Sequence, residues 1–511
     1  MFVRSLFYLL TLLCIAIHTP NPLCAVDLSF KITMEKGPAA SGRLIVFLIR
    51  SDSSRLKNRM PVDGPFWDEP QPLFGINASL SPGSSVSIND TADCFPMVPS
   101  KLSVGRYRAQ ARFDTKRLNS DWRREPNNIW SDVVEFEIVA TREQKIVELT
   151  LKNLVEVENN KQVQGVDWFE TKSALLTGFR GVDVVLQAGV VFPSEYQSGK
   201  KYPVIYEVPG FGDDHSSAAS GRSRIGAGPS AELAKHSFRV VLNPEGPNGH
   251  TLFADSANNG PCGEALIREL IPALEAKYAM IANPTARVLR GHSSGGWSTL
   301  WLAMKYPDTF GAAWSSAPDP VDFRRFQKVN IYAQPNFYTD ANGQDLPSLR
   351  RQDKVQMTIR QEARGEDVLG PDNSSGQQWD SWFAAFGPRN DSGNPVALFD
   401  PQSGNIQRTV AGSYRSYDLC QLLLSDPQRY LPIFRNRIRL VCGTEDSFYL
   451  NEAVELLDAE IRRLGRETSD RGYVKLVPGD HGTVMANDAM KAFPSEVLEH
   501  FREFSHIDKQ P

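Results

Sequence analysis

Arg287-Val288-Leu289-Arg290-Gly291-His292-Ser293-Ser294-Gly295-Gly296-Trp297 is the stretch on which the reading of this chain turns. A short apolar strand, Arg287-Val288-Leu289, leads directly into Gly291-His292-Ser293-Ser294-Gly295, the only G-x-S-x-G in the sequence. A helical pattern carrying Trp297, Leu300, Trp301 and Met304 leads directly out. The five-residue pattern alone is weak in a chain rich in Gly and Ser. Its context gives it weight. A strand that turns into a helix between flanking glycines holds a serine at a strained, exposed corner. The helix N-terminus beside it favours negative charge. Ser293 is therefore the candidate nucleophile.

An alkyl hydroxyl is a poor nucleophile at neutral pH and needs a base held in one tautomer by a carboxylate. On a strand–elbow–helix framework both partners follow the serine, in the order acid, then histidine. Arg439 to Cys442 reads as a strand that ends in Gly443-Thr444-Glu445-Asp446, and the G-x-x-D offset favours Asp446 over Glu445. Tyr473 to Val477 then leads into Pro478-Gly479-Asp480-His481-Gly482, which makes His481 the base; His500 and His506 lie in the C-terminal helix and tail. An oxyanion needs two backbone N–H donors aimed at one point. The amide of Ser294 is one. The other is sought after the strand Val204 to Val208, in Pro209-Gly210-Phe211-Gly212, and Phe211 is chosen because proline has no N–H.

Outward from these motifs, strands and helices alternate. The strands are Tyr202 to Val208, Phe238 to Leu242, Ala286 to Arg290, Gly311 to Ser315, Ile438 to Cys442 and Tyr473 to Val477. The helices are Gly263 to Tyr278, Gly295 to Lys305 and Asn451 to Leu464. Such alternation buries a mostly parallel sheet between helix layers, the α/β class. The segment 319–432, rich in Asn, Asp, Gly, Gln and Pro, is too long for a plain loop and reads as an irregular insertion, a lid over the sheet edge. Before residue 156 the pattern differs. Leu28 to Ile32, Arg43 to Ile49, Arg106 to Phe113, Val133 to Val139 and Ile146 to Leu151 alternate between turn-rich clusters. Roughly six or seven strands without helical periodicity predict a small β-sandwich over 26–155, with the α/β domain over 156–511. Trp67, Trp122 and Trp130 fit either a sugar platform or that domain's core.

The 511 residues are 41% hydrophobic and 23% charged, with a formal net charge of -4. That balance argues against nucleic acid or an anionic membrane surface as partner. Residues 1–25 carry Arg4, an apolar run from Leu6 to Ile17, and a small residue, Ala25, after Pro20 and Pro22. The run is too short to anchor in a bilayer and reads as a cleaved secretory signal. The expectation is a secreted or periplasmic protein with no later membrane span. Cys94, Cys262, Cys420 and Cys442 remain after the signal, in no CxxC pair. Their pairing is open, although Cys442, at the end of an apolar strand, reads as a buried thiol. No metal or cofactor motif is recognised, and Asp340 to Asp345 lacks the ligand spacing of a calcium loop. Oligomeric state is not legible.

From about Ala188 to the C-terminus the chain resembles the "putative esterase" family of α/β-hydrolases. That family includes esterase D, feruloyl and acetyl-xylan esterases, enterochelin-type esterases and the mycolyltransferases. YPVIYEVPGFGDDH from Tyr202, ELIPALEAKY from Glu269, RGHSSGGWSTLWLAMKYPDTFGAAWSSAP from Arg290, GTEDSFYL from Gly443 and PGDHGT from Pro478 carry the likeness. It implies an α/β-hydrolase domain preceded by an immunoglobulin-like β-sandwich. It also implies a serine esterase with Ser293, Asp446 and His481 as triad and Phe211 with Ser294 as oxyanion hole. Pro209 departs from the histidine that many members place before the glycine, so the bonds around that loop are open. A small-molecule or carbohydrate ester is the expected substrate, with His250, Asp255 and Asn258 either contacting it or bonding within their own loop. Asp213, Asp214 and His215 carry less weight as contacts. The competing readings are an acyltransferase, in which an alcohol replaces water, and a binding protein built on a hydrolase scaffold.

Overall fold

The computed structural model describes residues 27–115, 121–140, 144–156, 160, 162–223, 228–465, 467 and 470–505. The expected signal segment 1–25 and His506 lie outside the described residues.

The N-terminal part is β-rich. Leu28–Met34 alternates as its sequence requires, with Leu28, Phe30, Ile32 and Met34 buried on one face. It pairs parallel with Lys145–Leu154 and antiparallel with Ser85–Ile88. Ala40–Arg50 pairs antiparallel with Gly105–Asp114 and with Leu73–Leu80. The short strand Ile129–Ser131 bonds to both Gly105–Asp114 and Lys145–Leu154, so the described strands form one nine-stranded network. Leu73–Leu80, Ser85–Ile88 and Asp93–Phe95 add to the strands read from sequence alternation.

The second sheet has eight strands. In chain order they are β1 (Val166–Lys172), β2 (Val185–Val191), β3 (Val204–Val208), β4 (Phe238–Leu242), β5 (Arg287–His292), β6 (Ala312–Ser316), β7 (Ile438–Gly443) and β8 (Tyr473–Val477). Their spatial order is β1-β2-β4-β3-β5-β6-β7-β8. β1–β2 and β2–β4 are antiparallel, and every later pair is parallel. All residues of β6 and β7 are buried, as expected of parallel strands covered on both faces. The register sets Val208 beside Gly291 and His292 beside Ser316. The loops after these strands therefore open on one carboxyl edge, where α/β sheets bind ligands. The helix expected over 263–278 runs from Cys262 to Lys277. One turn widens over Leu266–Leu270, just before Pro272, which has no N–H to continue the ladder.

The insertion between β6 and β7 is more regular than its composition predicts. It holds the hairpin Pro347–Arg351/Lys354–Thr358 and the helices Ile359–Leu369, Gln378–Phe386, Arg408–Ser413, Leu419–Ser425 and Pro427–Asn436. Its aromatic residues extend the core of the sheet, and Phe386 meets Trp297 of the helix after Ser293 with ring centroids 5.1 Å apart. The helix Ile359–Leu369 faces the other way. Val368 and Leu369 join Ile45, Phe47, Leu73 and Phe95 of the N-terminal strands in one apolar cluster. Arg43, 3% exposed, donates two hydrogen bonds to the Val368 carbonyl, at 3.0 and 2.8 Å.

Candidate active site

Ser293 sits between β5 and the helix Ser294–Lys305 with φ 58° and ψ -127°, a conformation costly for a residue with a side chain. Sequence explains why the corner closes. A Cβ on Gly291 would lie 2.2 Å from the Gly295 carbonyl oxygen, and one on Gly295 would lie 2.0 Å from the Val208 carbonyl oxygen. The Ser293 amide donates to Ser316 of β6 at 3.0 Å, and the Ser293 carbonyl accepts from Trp297 at 3.0 Å. The corner is tied to the neighbouring strand on one side and to its own helix on the other.

Loops after β7 and β8 bring the acid and the base together. Thr444 donates to the Val477 carbonyl at 2.8 Å and Glu445 to the Gly479 carbonyl at 3.1 Å. A Cβ on Gly443 would meet the Gly479 oxygen at 2.2 Å, so the two turns lie in contact. Asp446 is fully buried and its Oδ2 lies 2.7 Å from His481 Nδ1; Glu445 is exposed. Asp446 Oδ1 accepts from the Phe448 amide at 2.9 Å. Because the carboxylate only accepts, Nδ1 carries the proton, which leaves the Nε2 lone pair basic in the neutral ring. The His481 ring packs on His292, the residue before Ser293, at 4.6 Å between centroids, and edge-on against Phe448 at 4.9 Å.

Burial opposes a charge on His481, but attraction to Asp446, the hydrogen bond to it and the nearby Asp319 outweigh that, so its pKa is raised above 6.5. His292 moves the other way, to about 3, through burial and repulsion from His481. The two adjacent imidazoles thus have opposite preferences, and only His481 is poised to exchange a proton near neutrality.

The loop after β3 lies directly over the corner. A Cβ on Gly210 would stand 3.2 Å from the His292 oxygen and 3.4 Å from the Ser293 Cβ. Phe211 follows, half-buried, and Gly212 turns the chain away with φ +79°. The histidine missing at position 209 is compensated from elsewhere. His250 is fully buried, its Nε2 bonds the Pro209 carbonyl at 3.0 Å, and its Nδ1 accepts from the Leu252 amide at 3.1 Å. Burial lowers its pKa to about 4, so the ring stays neutral and fixes the loop.

His250 thus bonds within the protein, and so do its two companions. Asp255 accepts from the Gly263 and Glu264 amides and from the Tyr306 hydroxyl. The Asn258 amide group donates to the carbonyls of Ala384 and Gly387. Asp214 caps the short helix His215–Ser217 and pairs with Arg124 of the N-terminal part. Asp340 closes an ordinary turn by accepting from Asn342 and Gln344. Cys94, Cys262, Cys420 and Cys442 are all free thiols, and Cys442 is buried. Among the described residues no group of three His, Cys, Asp or Glu side chains is arranged to hold a metal ion. No helix there is long and apolar enough to cross a membrane.

Sequence reasoning missed Asp319. Its carboxyl is buried two residues past the Ala317 that follows β6, and it accepts from Ser294 Oγ at 2.7 Å and from Trp382 Nε1 at 2.8 Å. Its own amide donates to the Ser293 carbonyl at 3.3 Å. Burial raises its pKa to about 6 despite those two bonds. The signal available was a lone acid in Ser315-Ser316-Ala317-Pro318-Asp319-Pro320, at the carboxyl end of a central strand.

A mostly parallel eight-stranded sheet in this order, with a strand–corner–helix at its centre, is an α/β-hydrolase fold. The chain belongs to the Esterase family, whose model, described as "Putative esterase", matches residues 185–486. Esterase MT1326 of Mycobacterium tuberculosis (strain CDC 1551 / Oshkosh) and Esterase Rv1288 of strain ATCC 25618 / H37Rv are each 26% identical to it over 175 residues. The match covers 33% of this chain and 35% of each relative, so the chain spans about a third of the length of the curated relatives it matches. Among solved structures, a ferulic acid esterase is 16% identical with a TM-score of 0.40, covering 66% of this chain and 98% of its own. An S-formylglutathione hydrolase from Agrobacterium tumefaciens is 15% identical with a TM-score of 0.38, covering 67% and 97%.

Proposed function

We propose that this protein is an exported serine esterase that cleaves a carboxylic ester, of the carbohydrate-linked class, through an acyl-enzyme on Ser293. His481 Nε2 takes the Ser293 proton as Oγ attacks the ester carbonyl. Asp446 stabilises the imidazolium that forms, and the amides of Phe211 and Ser294 receive the oxyanion. The imidazolium then protonates the departing alcohol, and a water activated by the same ring releases the acid.

The observation that carries this reading is the buried Asp446–His481 bond at 2.7 Å, with the ring packed against the residue before a serine at φ 58°. Export is supported by the apolar run before Ala25. An immunoglobulin-like assignment of the N-terminal strands belongs to the same proposal. Its support is Tyr107, near the start of Gly105–Asp114, whose hydroxyl donates back to the Ser103 carbonyl at 2.9 Å, the bond of a tyrosine corner.

The test is a fluorophosphonate probe together with hydrolysis of nitrophenyl acetate. One label per chain, lost together with turnover in Ser293→Ala, is the expected result. A folded wild-type protein that neither labels nor turns over would refute the esterase.

A further inference from the structure

The loop that carries Phe211 is short. It leaves β3 at Pro209 and ends at Asp214, and between them the Asp213 amide donates back to the Gly210 carbonyl at 3.2 Å across Phe211 and Gly212. His250 holds the entry of this loop through the Pro209 carbonyl. The exit is held by the N-terminal part of the chain. Asp214 is buried; its Oδ1 accepts from the Ser216 amide at 2.8 Å, and its Oδ2 pairs with Nη1 of Arg124. The next residue is gripped as well, because the Asn160 amide group donates to His215 Nε2 at 3.2 Å.

Both sides of this contact stand on fixed ground. A Cβ on Gly189 of β2 would lie 2.6 Å from the His215 carbonyl oxygen, so the turn after Asp214 rests directly on the sheet. Arg124 ends the turn Trp122–Arg124. The Trp122 carbonyl accepts from Asn128 Nδ2 at 3.1 Å, and Asn128 Oδ1 accepts from the Thr115 amide, next to the strand Gly105–Asp114, at 2.8 Å. Within its own turn Arg124 also meets Asp121, at 3.7 Å, a longer contact than the one to Asp214. The Arg124 side chain is 31% exposed and that of Asp214 9%. Water and salt therefore screen this pair less than a pair in open solvent, which would hold little in place.

We propose that Arg124 is a positioning residue for the oxyanion hole: its ion pair with Asp214 fixes the exit of the loop after β3, and with it the direction of the Phe211 amide. Phe211 lies two residues after Pro209 and three before Asp214. A shift at either end turns its N–H, and a hydrogen bond weakens steeply once its angle drops towards about 120°. Arg124 acts only through Asp214. This role rests on the esterase reading, with Phe211 as a donor. It makes the N-terminal part a contributor to kcat as well as to the fold.

Steady-state kinetics of full-length Arg124→Gln, Asp214→Asn and the double variant on nitrophenyl acetate test it. Asp214→Asn keeps an oxygen to cap Ser216 and drops the charge. Each single variant should lose roughly 10-fold in kcat, short of the 10²–10³ for a lost donor, with KM nearly constant. The double variant should lose no more than either single one, because both remove the same interaction. The Ki of a trifluoromethyl ketone, whose adduct places an oxyanion at the same point, should rise by the factor by which kcat falls. An unchanged kcat in Arg124→Gln, losses that multiply in the double variant, a Ki that does not move, or a rise in KM alone overturns the role. Should Arg124→Gln lose its thermal transition, Asp214→Asn carries the test by the same readings of kcat, KM and Ki. Failure of the esterase reading shows separately: the wild type then neither labels with fluorophosphonate nor turns over nitrophenyl acetate, and the role of Arg124 falls with it.

Discussion

The hydroxyl of Ser294 donates a 2.7 Å hydrogen bond to Oδ2 of Asp319, an oxygen that also accepts from the Trp382 indole at 2.8 Å. One buried carboxylate thus ties the residue after Ser293 to the insertion. Asp319→Leu would leave two buried donors without an acceptor, at about 1–3 kcal/mol each. It should lower kcat and the melting temperature together. Asp319→Asn keeps an acceptor and should lose far less. It also removes one of the charges that raise the pKa of His481, so the acid limb of kcat/KM should move to lower pH.

The same carboxyl gives stability a pH signature. Its folded pKa, about 6, lies above the ordinary 3.8, so the folded chain binds this proton first. The stability contributed by this group therefore rises as pH falls from about 6 towards 4. Denaturant titrations at pH 4.5 and 7 should show that slope reduced in Asp319→Asn.

His481 must be neutral to accept the Ser293 proton, and its pKa is raised above 6.5. Activity should fall as pH drops through a midpoint above 6.5. His250 and His292, at about 4 and 3, stay neutral throughout that range and contribute nothing to the limb. Asp446→Asn should cut kcat by about 10⁴-fold, the size of this loss in a serine-protease triad. A pH–rate series with nitrophenyl acetate checks both.

His250→Ala would remove the bond to the Pro209 carbonyl and free the loop that carries Phe211. kcat should fall by roughly 10-fold, less than the 10²–10³ of losing an oxyanion donor outright, with KM for a small ester nearly constant. Steady-state kinetics separate the two terms.

Gly295→Ala would place a Cβ 2.0 Å from the Val208 carbonyl oxygen, backbone that has nowhere to go. Loss of folded protein, seen as a missing thermal transition, is the expected outcome. Gly210→Ala, with its nearest contact at 3.2 Å, should fold and lose activity.

Ser293, Asp446 and His481 stood out as candidates because each follows a short apolar strand that ends in a turn of restricted composition: Gly-x-Ser-x-Gly, Gly-x-x-Asp and Pro-Gly-Asp-His. Asp319 carried no such frame; its role comes from a distant Trp382, which no local spacing connects to it. His250 was noticed, but its bond to the Pro209 carbonyl depends on a fold that brings the loops after β3 and β4 together. The insertion was misread as irregular because Asn, Gly and Pro punctuate it every few residues. One helix start went unread. Thr358 and Gln361 form a capping box at the head of Ile359–Leu369. β1 and β2 escaped because their burial is only partial, which blurs both the alternating and the continuous apolar pattern.

That helix, Ile359–Leu369, has the N-terminal strands as its floor. Removing residues 27–155 would therefore not trim an ornament. It would strip Val368 and Leu369 of their apolar bed and leave the Val368 carbonyl without the Arg43 guanidinium. The insertion is moored at its far end to a neighbour early in the chain. A truncated chain would have to hold that insertion in place with half its foundations gone.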